Sequence, residues 1–205
     1  MNRFIGNNQN NYKPDMNLTV DEQLFPTKPD KFGIKFLLAS DANSKYIIKN
    51  FPYLGKEESR SLSIPFGEFV VLKIVEPLTR CWKHVTTENN FFTSASLATK
   101  LLAKRITLLG TIRGNRRELP KLAKSAKDKV ERFLTVLYKP NNCTLTIYKF
   151  KPSKNVTILT SNHKIKSITT ESEPETVAYY NKIKFGIDVT DQMARKYSVK
   201  SKSYR

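Results

Sequence analysis

The stretch HVTTENNFFTSASLATKLLAKRITLLGTI, residues 84–112, decides the fold, because it contains a strand, a helix and a second strand in succession. Residues 84–87 are β-prone, and Ser94 can cap a helix whose apolar residues recur at i, i+4. Residues 107–112 are the next buried apolar run. Since a helix between two strands returns the chain to the same sheet, the pattern predicts a parallel crossover.

The residues upstream predict three further strands. Residues 17–22 are short and β-prone, and the apolar runs at 32–40 and 46–54 flank the turn-rich DANSK, which indicates a hairpin. Residues 67–78 have helical periodicity and are closed by Pro77. The order is three strands, helix, strand, helix, strand. It predicts an α/β fold in which an antiparallel meander is extended by crossover units into one mixed sheet, the ribonuclease H-like order.

The downstream residues predict a β-rich insertion followed by helices. Strand-like runs separated by Pro- and Asn-containing turns lie at 133–138, 144–150 and 156–160. The two helical segments expected after them are 175–184 and 188–197. We therefore predict a disordered leader at 1–16, the first part of the core at 17–113, a basic, β-rich insertion at 114–174 and a C-terminal helical part of the core, carrying the third acid, at 175–205.

Composition indicates a polyanion as partner. The 36 Lys and Arg residues against 18 Asp and Glu give a formal net charge of +18, and nucleic acid is the polyanion we expect. A ribosome-like or membrane-surface role has the same charge balance but leaves the acidic segments unexplained. Neither a signal peptide nor an apolar run of membrane-spanning length is evident, so we expect no membrane partner and an intracellular, nuclear location.

The two cysteines predict neither a disulfide framework nor a zinc site. Cys81 and Cys143 are far apart in the sequence, which fits a reducing compartment. Cys81 and His84 have ligand-like spacing, but a structural zinc site needs four ligands and no second pair is evident. We therefore expect no zinc.

Three acids stand in separate motifs, TVDEQ around Asp21, VTTENNFFTS around Glu88 and YYNKIKFGIDVTDQM around Asp188. In the predicted order Asp21 lies on the first strand, Glu88 follows the fourth, and Asp188 belongs to a helix after the fifth. Carboxylates that converge from distant segments suit Mg²⁺ or Mn²⁺, which prefer oxygen ligands and serve phosphodiester chemistry. A solvated surface acid is the plainer interpretation of any one of them.

Six collinear blocks carry a resemblance to a known family. They are TVDEQ, KPDKFGIKF, PYLG, FFTSASLA, GTIRGNRRELP and YYNKIKFGIDVTDQ. In this order they resemble the catalytic domain of piggyBac transposases over roughly residues 17–200.

The resemblance implies a three-aspartate site that binds two divalent metals, nicks DNA and then uses the freed 3′ hydroxyl for hairpin formation and strand transfer. It makes Asp21 the first aspartate, Asp188 the third and Asp191 the further metal-binding acid. At the second position the family has threonine, aspartate, asparagine and two aromatics, whereas this chain has Thr87, Glu88, Asn89, Asn90 and then two phenylalanines. One residue is extra and the aspartate is missing.

Two consequences of this departure are open. If Glu88 takes the metal role, its carboxylate extends one methylene further, which a rigid Mg²⁺ geometry tolerates poorly. If Asn89 takes the role, one negative charge is lost and strand cleavage should collapse.

Other departures from the family pattern point in the same direction. An Arg- and Phe-containing family loop beyond Asp21 has no counterpart, and Phe185 replaces the first of two glycines at the entry to the helix of Asp188. The family's dimerisation, DNA-binding and zinc modules also lack counterparts in this sequence. We therefore expect a truncated chain with an under-built site. Its expected partner is a second copy of itself, in a homodimer, or a full-length transposase.

A basic segment follows the predicted fifth strand. Between residues 113 and 132 eight basic residues face three acids, and we expect DNA-backbone contacts from Arg113, Arg116, Arg117, Lys121 and Lys124. For a single lysine a solvated loop is the plainer interpretation. Because no recognition helix is evident, binding should be salt-sensitive and nearly independent of sequence.

The leading hypothesis is a piggyBac transposase-derived catalytic domain with impaired catalysis and retained DNA binding. One alternative is a Mg²⁺- or Mn²⁺-dependent nuclease using Glu88, and another is a non-catalytic DNA- or chromatin-binding protein recruited from a transposon. A third is a relic whose core does not fold stably.

Overall fold

The computed structural model describes most of the chain, namely residues 2–28, 32–55, 61, 63–78, 82–119, 135–138, 142–151, 154–162 and 174–197. Its strands are β1 Asn17–Lys28, β2 Phe32–Asp41, β3 Ile47–Tyr53, β4 Lys83–Thr87, β5 Ile106–Thr111, β6 Thr135–Tyr138, β7 Thr144–Lys151 and β8 Lys154–Thr160. Its helices are α1 Asn2–Asn11, α2 Phe66–Val75, α3 Ala95–Leu102, α4 Glu175–Ile183 and α5 Gly186–Lys196.

The strands form one mixed sheet of eight, in the order β3-β2-β1-β4-β5-β8-β7-β6. Strands β1, β2 and β3 make the expected antiparallel meander. Strands β1, β4 and β5 are parallel, and α3 connects β4 to β5. The parallel crossover predicted from residues 84–112 is therefore confirmed. Strand β1 is longer than the predicted 17–22 because its antiparallel pairing with β2 continues past Glu22.

The strands of the predicted insertion continue the core sheet. Strand β8 pairs antiparallel with β5, and β7 and β6 follow outward. Alternate residues of β7 and β8 are apolar, and Leu145, Ile147 and Leu159 are buried in the main core. Residues 120–134, 139–141, 152–153 and 163–173 of that basic region lie outside the described residues.

Two helical layers cover the sheet, and the alternation of side chains along β1 separates them. Leu18 and Val20 point to the main core, which includes residues of α2 and α3. Thr19 and Gln23 point to the other face, where Thr19 donates to the Ile183 carbonyl at the end of α4. Asp21 lies between these two and therefore shares the face covered by α4 and α5.

Helix α3 begins where the sequence predicts. Ser94 has an extended backbone and its hydroxyl accepts a hydrogen bond from the Leu97 amide at 3.0 Å. The same hydroxyl donates to Glu68 of α2 at 2.7 Å, and Lys100 forms an ion pair with that carboxylate at 2.7 Å. Glu68, which the sequence analysis did not single out, therefore fixes α3 against α2.

The prediction of a disordered leader at 1–16 is wrong. Residues 2–11 form α1, in which Asn8 is buried and donates to the Ile47 carbonyl at 3.0 Å. Beyond it, the Tyr12 ring stacks on Tyr46, with centroids 4.2 Å apart, and its hydroxyl donates to Asp41. The Asn-rich composition suggested disorder, but these contacts are long-range and leave no periodic signal in the sequence. No helix in the described part of the chain is long and apolar enough to span a membrane.

Candidate active site

The register of the parallel strands brings the first two predicted acids together. Leu18 pairs with Val85, Thr19 with Thr86 and Val20 with Thr87. Extending this register by one residue places Glu88 beside Asp21, at the carboxyl end of β4. Because neighbouring strands in register point their side chains the same way, both carboxylates lie on the face covered by α4 and α5.

Helix α5 brings the third acid to the same place through a close approach at Gly186. A Cβ on Gly186 would stand 2.5 Å from the Thr19 hydroxyl oxygen and 2.9 Å from the Thr19 Cβ, so a larger residue could not occupy this position without a shift. One turn further along, Asp191 accepts a hydrogen bond from Gln23 at 2.9 Å. Asp188 lies between these two residues in α5, and its charge raises the pKa of both Asp21 and Glu88, so it lies near both carboxylates.

The pKa values of the acids show that the three charges are coupled. Burial, together with the charges of Asp21 and Asp188, raises the pKa of Glu88 to about 8 against the opposing Lys184 ammonium. Burial likewise raises the pKa of Asp21 to about 6, with Glu22 and Asp188 adding to the shift. At neutral pH the site therefore resists holding three negative charges.

The structure distinguishes the two candidates for the second position. Glu88 lies beside Asp21 and is coupled to both aspartates. The Asn89 side chain instead accepts a hydrogen bond from the Phe91 amide at 3.0 Å and lines a groove with Phe91 and Arg113. The extra residue is therefore accommodated in the turn between β4 and α3, and Glu88 rather than Asn89 lies beside Asp21.

Two hydroxyl groups hold the backbone of Glu88, and the sequence analysis identified neither. Tyr180 of α4 donates to the Glu88 carbonyl at 3.1 Å, and Thr111 at the end of β5 donates to the same oxygen at 3.2 Å. Burial raises the pKa of Tyr180 to about 12, so its hydroxyl remains a donor. Tyr180 and Lys184 both belong to the YYNKIKFGID block, and the resemblance of this block to the family is the sequence signal that could have identified them.

Asp191, predicted as a further metal-binding acid, is engaged by other side chains. Gln23 donates to one of its carboxylate oxygens, and Arg195 forms an ion pair with the other at 2.8 Å. These contacts hold α5 against β1. They place Asp191 one helical turn beyond Asp188 and give it a positioning role in this arrangement.

The three predicted acids have the donor chemistry of a divalent-cation site. Asp21 Oδ1 and Glu88 Oε1 are buried without a hydrogen-bond partner, which is uncommon for carboxylate oxygens. Hard cations bind such oxygens. Among the residues that the structure describes, however, no group of three or more His, Cys, Asp or Glu side chains is arranged to hold a metal ion. A cation would therefore have to draw the carboxylates closer together.

Some of the basic residues that follow β5 lie beside this site. Arg113 donates to Asn90 Oδ1 at 2.8 Å, and Arg116 donates to the Phe91 carbonyl at 3.3 Å, so both brace the turn that follows Glu88. Arg117 is exposed. Lys121 and Lys124, predicted as DNA contacts, lie outside the described residues.

Phe185 does not distort the entry to α5, contrary to the expectation drawn from its replacement of a glycine. Its backbone has φ −74° and ψ 14°, which any residue adopts, and its side chain is exposed at the surface. Of these two neighbouring positions, it is Gly186 whose close packing requires glycine.

Comparison with known proteins agrees with this geometry. The chain matches the family described as Transposase IS4 over residues 3–205. It is similar to the piggyBac transposase in a cryo-EM structure of its synaptic complex with hairpin DNA, with 35% sequence identity and a TM-score of 0.85. The match covers 95% of this chain and 43% of that one, so this chain spans less than half the length of that transposase.

An endonuclease V from Bacillus subtilis matches with a TM-score of 0.33 and 13% identity, over 95% of this chain and 90% of that chain, which is too distant to support an argument. The match to the piggyBac structure confirms the ribonuclease H-like fold that the order of elements predicted. Together with the match over residues 3–205, it shows that the chain belongs to the piggyBac-type family of transposases.

Proposed function

We propose that this chain is a transposase-derived catalytic domain that binds DNA at the carboxylate end of its sheet and cleaves it weakly, with Mg²⁺ or Mn²⁺ held by Asp21, Glu88 and Asp188. The observation that carries the proposal is the coupling of three acids from β1, the end of β4 and α5. When bound, the cation supplies water activation and charge neutralisation for phosphodiester hydrolysis.

The fold of this chain fixes the positions of the carboxylates. Strands β1 and β4 fix Asp21 and Glu88, while Tyr180 and Thr111 hold the Glu88 backbone. Glu88 carries a longer side chain than aspartate and a raised pKa, so it must lose a proton before it can bind a cation at neutral pH. Both features weaken the site and support impaired catalysis.

DNA is the proposed partner because the net charge is +18 and because the similar piggyBac transposase was solved with hairpin DNA. We expect contacts mainly to the backbone, a nuclear location, and action as a homodimer or beside a full-length transposase. These expectations follow from the family membership and the net charge, and each can be measured directly.

The first test is calorimetric titration of Mn²⁺ into the wild type and into Asp21→Asn, Glu88→Gln and Glu22→Gln. Glu22 is the matched control, since it neighbours Asp21 but pairs with Lys35 at 2.9 Å. We expect Mn²⁺ binding in the wild type and in Glu22→Gln and its loss in the other two. Nicking of supercoiled DNA in Mn²⁺ should follow the same order.

A metal-independent DNA-binding protein is the second candidate. It is favoured by the lack, in the described part of the chain, of an acid cluster already arranged for a metal. DNA binding without Mn²⁺ binding in any variant would support this candidate and refute the catalytic one.

A further inference from the structure

An open groove of about 310 Å³ lies on the antiparallel meander, beyond Asp21 along β1. Because Gln23 and Phe25 continue the alternation of Thr19 and Asp21, the groove is on the sheet face that α5 partly covers. Its volume is at the lower end of the range of about 300–1,000 Å³ that is typical of small-molecule sites, and it can hold one bicyclic ring. Residues of β1, β2 and β3 line it, namely Gln23, Phe25, Phe36, Leu38, Ile47 and Asn50.

The apolar walls of the groove include a pair of aromatic rings. Phe25 and Phe36 pack edge to face, with ring centroids 5.3 Å apart and an interplanar angle of 89°. Both side chains are half-buried, whereas Leu38 beside them is buried. A third flat ring can pack on such a pair in an offset or edge-to-face arrangement. The walls therefore favour a planar aromatic ligand.

Gln23 provides a buried hydrogen-bond acceptor in the groove. Its side chain is only 4% exposed, and its Nε2 donates to Asp191 at 2.9 Å. Because an ionised carboxylate only accepts, this contact fixes the orientation of the Gln23 amide. Its other atom, Oε1, is buried and has no hydrogen-bond partner among the residues that the structure describes. Such an atom is uncommon in a folded protein, and a ligand with an N–H donor would satisfy it.

Asn50 places a second amide on the far side of the groove. Its Oδ1 is likewise buried and lacks a hydrogen-bond partner within the described part of the chain. Asn50 belongs to β3 and Gln23 to β1, with β2 between them, so their backbones are about two strand spacings, roughly 10 Å, apart. A ring that bonds to Gln23 and lies across β2 therefore extends toward Asn50.

We propose that this groove binds a small planar aromatic molecule that carries an N–H donor, with its ring packed on Phe25, Phe36 and Leu38 and its N–H directed at Gln23 Oε1. Indole is a simple molecule of this class, because it combines a flat bicyclic ring with one N–H. The groove contains none of the three acids, so this inference does not rest on the proposed cleavage activity.

The test is calorimetric titration of indole and of 1-methylindole into the whole chain in EDTA, which keeps the carboxylates free of metal. The two probes share one ring system, but the methyl group removes the donor and adds apolar surface. We expect indole to bind about tenfold more tightly than 1-methylindole, as one hydrogen bond to an otherwise unsatisfied buried acceptor predicts. Binding driven by apolar burial alone would instead favour 1-methylindole.

Three substitutions locate the binding site. Gln23→Met removes the acceptor and should abolish the preference for indole. Asn50→Phe should fill the groove from β3 and abolish binding of both probes. Leu24→Phe is the matched control, since Leu24 neighbours Gln23 but is exposed on the opposite face of the sheet, and it should leave binding of both probes unchanged.

Gln23→Met also removes the donor to Asp191, so Asn50→Phe decides the location if the first variant does not fold. Three results would overturn the inference. They are binding of neither probe to the wild type, binding of 1-methylindole that is as tight as that of indole, and a preference for indole that survives in both groove variants.

Discussion

Glu88 is the residue on which the proposed cleavage activity depends. The register of β1 and β4 brings it beside Asp21, and its carboxylate is coupled to two aspartates and has a pKa of about 8. Without a cation, the native state at neutral pH holds Glu88 largely protonated. Glutamate in place of the family's aspartate therefore changes two properties. The carboxylate extends further from the backbone, and it must lose a proton before it can bind a cation at neutral pH.

This coupling gives a pH-dependent stability. Because the native-state pKa of Glu88 lies above its ordinary value of 4.5, its contribution to stability is complete below about pH 4.5 and is lost as the pH rises to about 8. We expect the Tm of the metal-free wild type to fall over this window, by about 2–4 °C for each kcal/mol lost.

Glu88→Gln should flatten this fall in melting curves recorded at pH 5, 6.5 and 8.5. Asp21 shifts in the same direction over a lower window that ends near pH 6, so some decline below pH 6 should remain in the variant. Glu22→Gln is the control and should keep the decline between pH 6.5 and 8.5, although loss of its charge beside Asp21 should reduce the decline below pH 6. A wild type whose Tm does not fall between pH 6.5 and 8.5 would contradict the coupling.

Gly186 makes a second prediction at the residue scale. Gly186→Ala places a methyl group 2.5 Å from the Thr19 hydroxyl oxygen, so α5 must move away from β1 and carry Asp188 with it. We expect unfolding in urea to show a loss of about 1–3 kcal/mol, as for overpacked cores. Mn²⁺ affinity should fall too, because Asp188 is displaced.

The neighbouring Phe185→Ala is the control for this substitution. Its side chain is exposed and its backbone is ordinary, so stability should change by less than about 0.5 kcal/mol. Equal effects of the two substitutions would mean that the close approach at Gly186 is not what positions α5.

At the scale of elements, the sequence predicts what local patterns encode. The hairpin around DANSK, the Ser94 cap and the crossover through α3 depend on turn residues and periodicity, and all three are confirmed. Helix α1 was missed, since its fixed position depends on Asn8, Tyr12 and their partners more than 25 residues away. The support of Glu88 by Tyr180 was missed for the same reason.

Glu68 links α2 to α3 and so supports the turn that carries Glu88. Burial alone would raise its pKa, but the Lys100 ammonium and the Ser94 and Ser96 hydroxyls hold that pKa below its ordinary value. Glu68→Ala removes the buried carboxylate that accepts from Ser94, Ser96 and Lys100, so these three donors lose their acceptor. We expect a loss of about 2–3 kcal/mol in urea unfolding.

Glu76→Ala is the matched control for Glu68, because Glu76 directly follows the last residue of α2 but is exposed, and its ion pair with Lys49 spans 3.6 Å. Its loss should be below about 1 kcal/mol. The pH dependence gives a second readout. A depressed carboxyl pKa stabilises the native state above its unfolded pKa, and that stability is lost as the pH falls, so the deficit of Glu68→Ala relative to wild type should shrink in acid.

At the scale of the whole molecule, charge and topology act together. The carboxyl ends of β1 and β4 and the start of α5 gather the acids on one side of the sheet, while Arg113 and Arg116 stand on the turn beside them. The family resemblance predicted which acids converge. It could not predict that Glu88 rather than Asn89 faces the aspartates, since that depends on how the turn accommodates one extra residue.

The salt dependence of DNA binding tests the charge distribution directly. Each phosphate neutralised lowers the slope of log K against log salt by about 0.9, so five contacts from Arg113, Arg116, Arg117, Lys121 and Lys124 give about −4.5. Arg113 and Arg116 already donate to the turn after Glu88. If that structural role excludes phosphate contact, only three contacts remain and the slope is about −2.7.

Two substitutions separate these outcomes. Arg117→Gln should reduce the magnitude of the slope by about 0.9 and leave Tm unchanged, because its side chain is exposed. Arg113→Gln should lower Tm, because it removes the donor to Asn90, and it should change the slope only if Arg113 also reaches DNA. A salt-independent affinity, or one that differs strongly between unrelated sequences, would contradict backbone binding and require base readout that no described element provides.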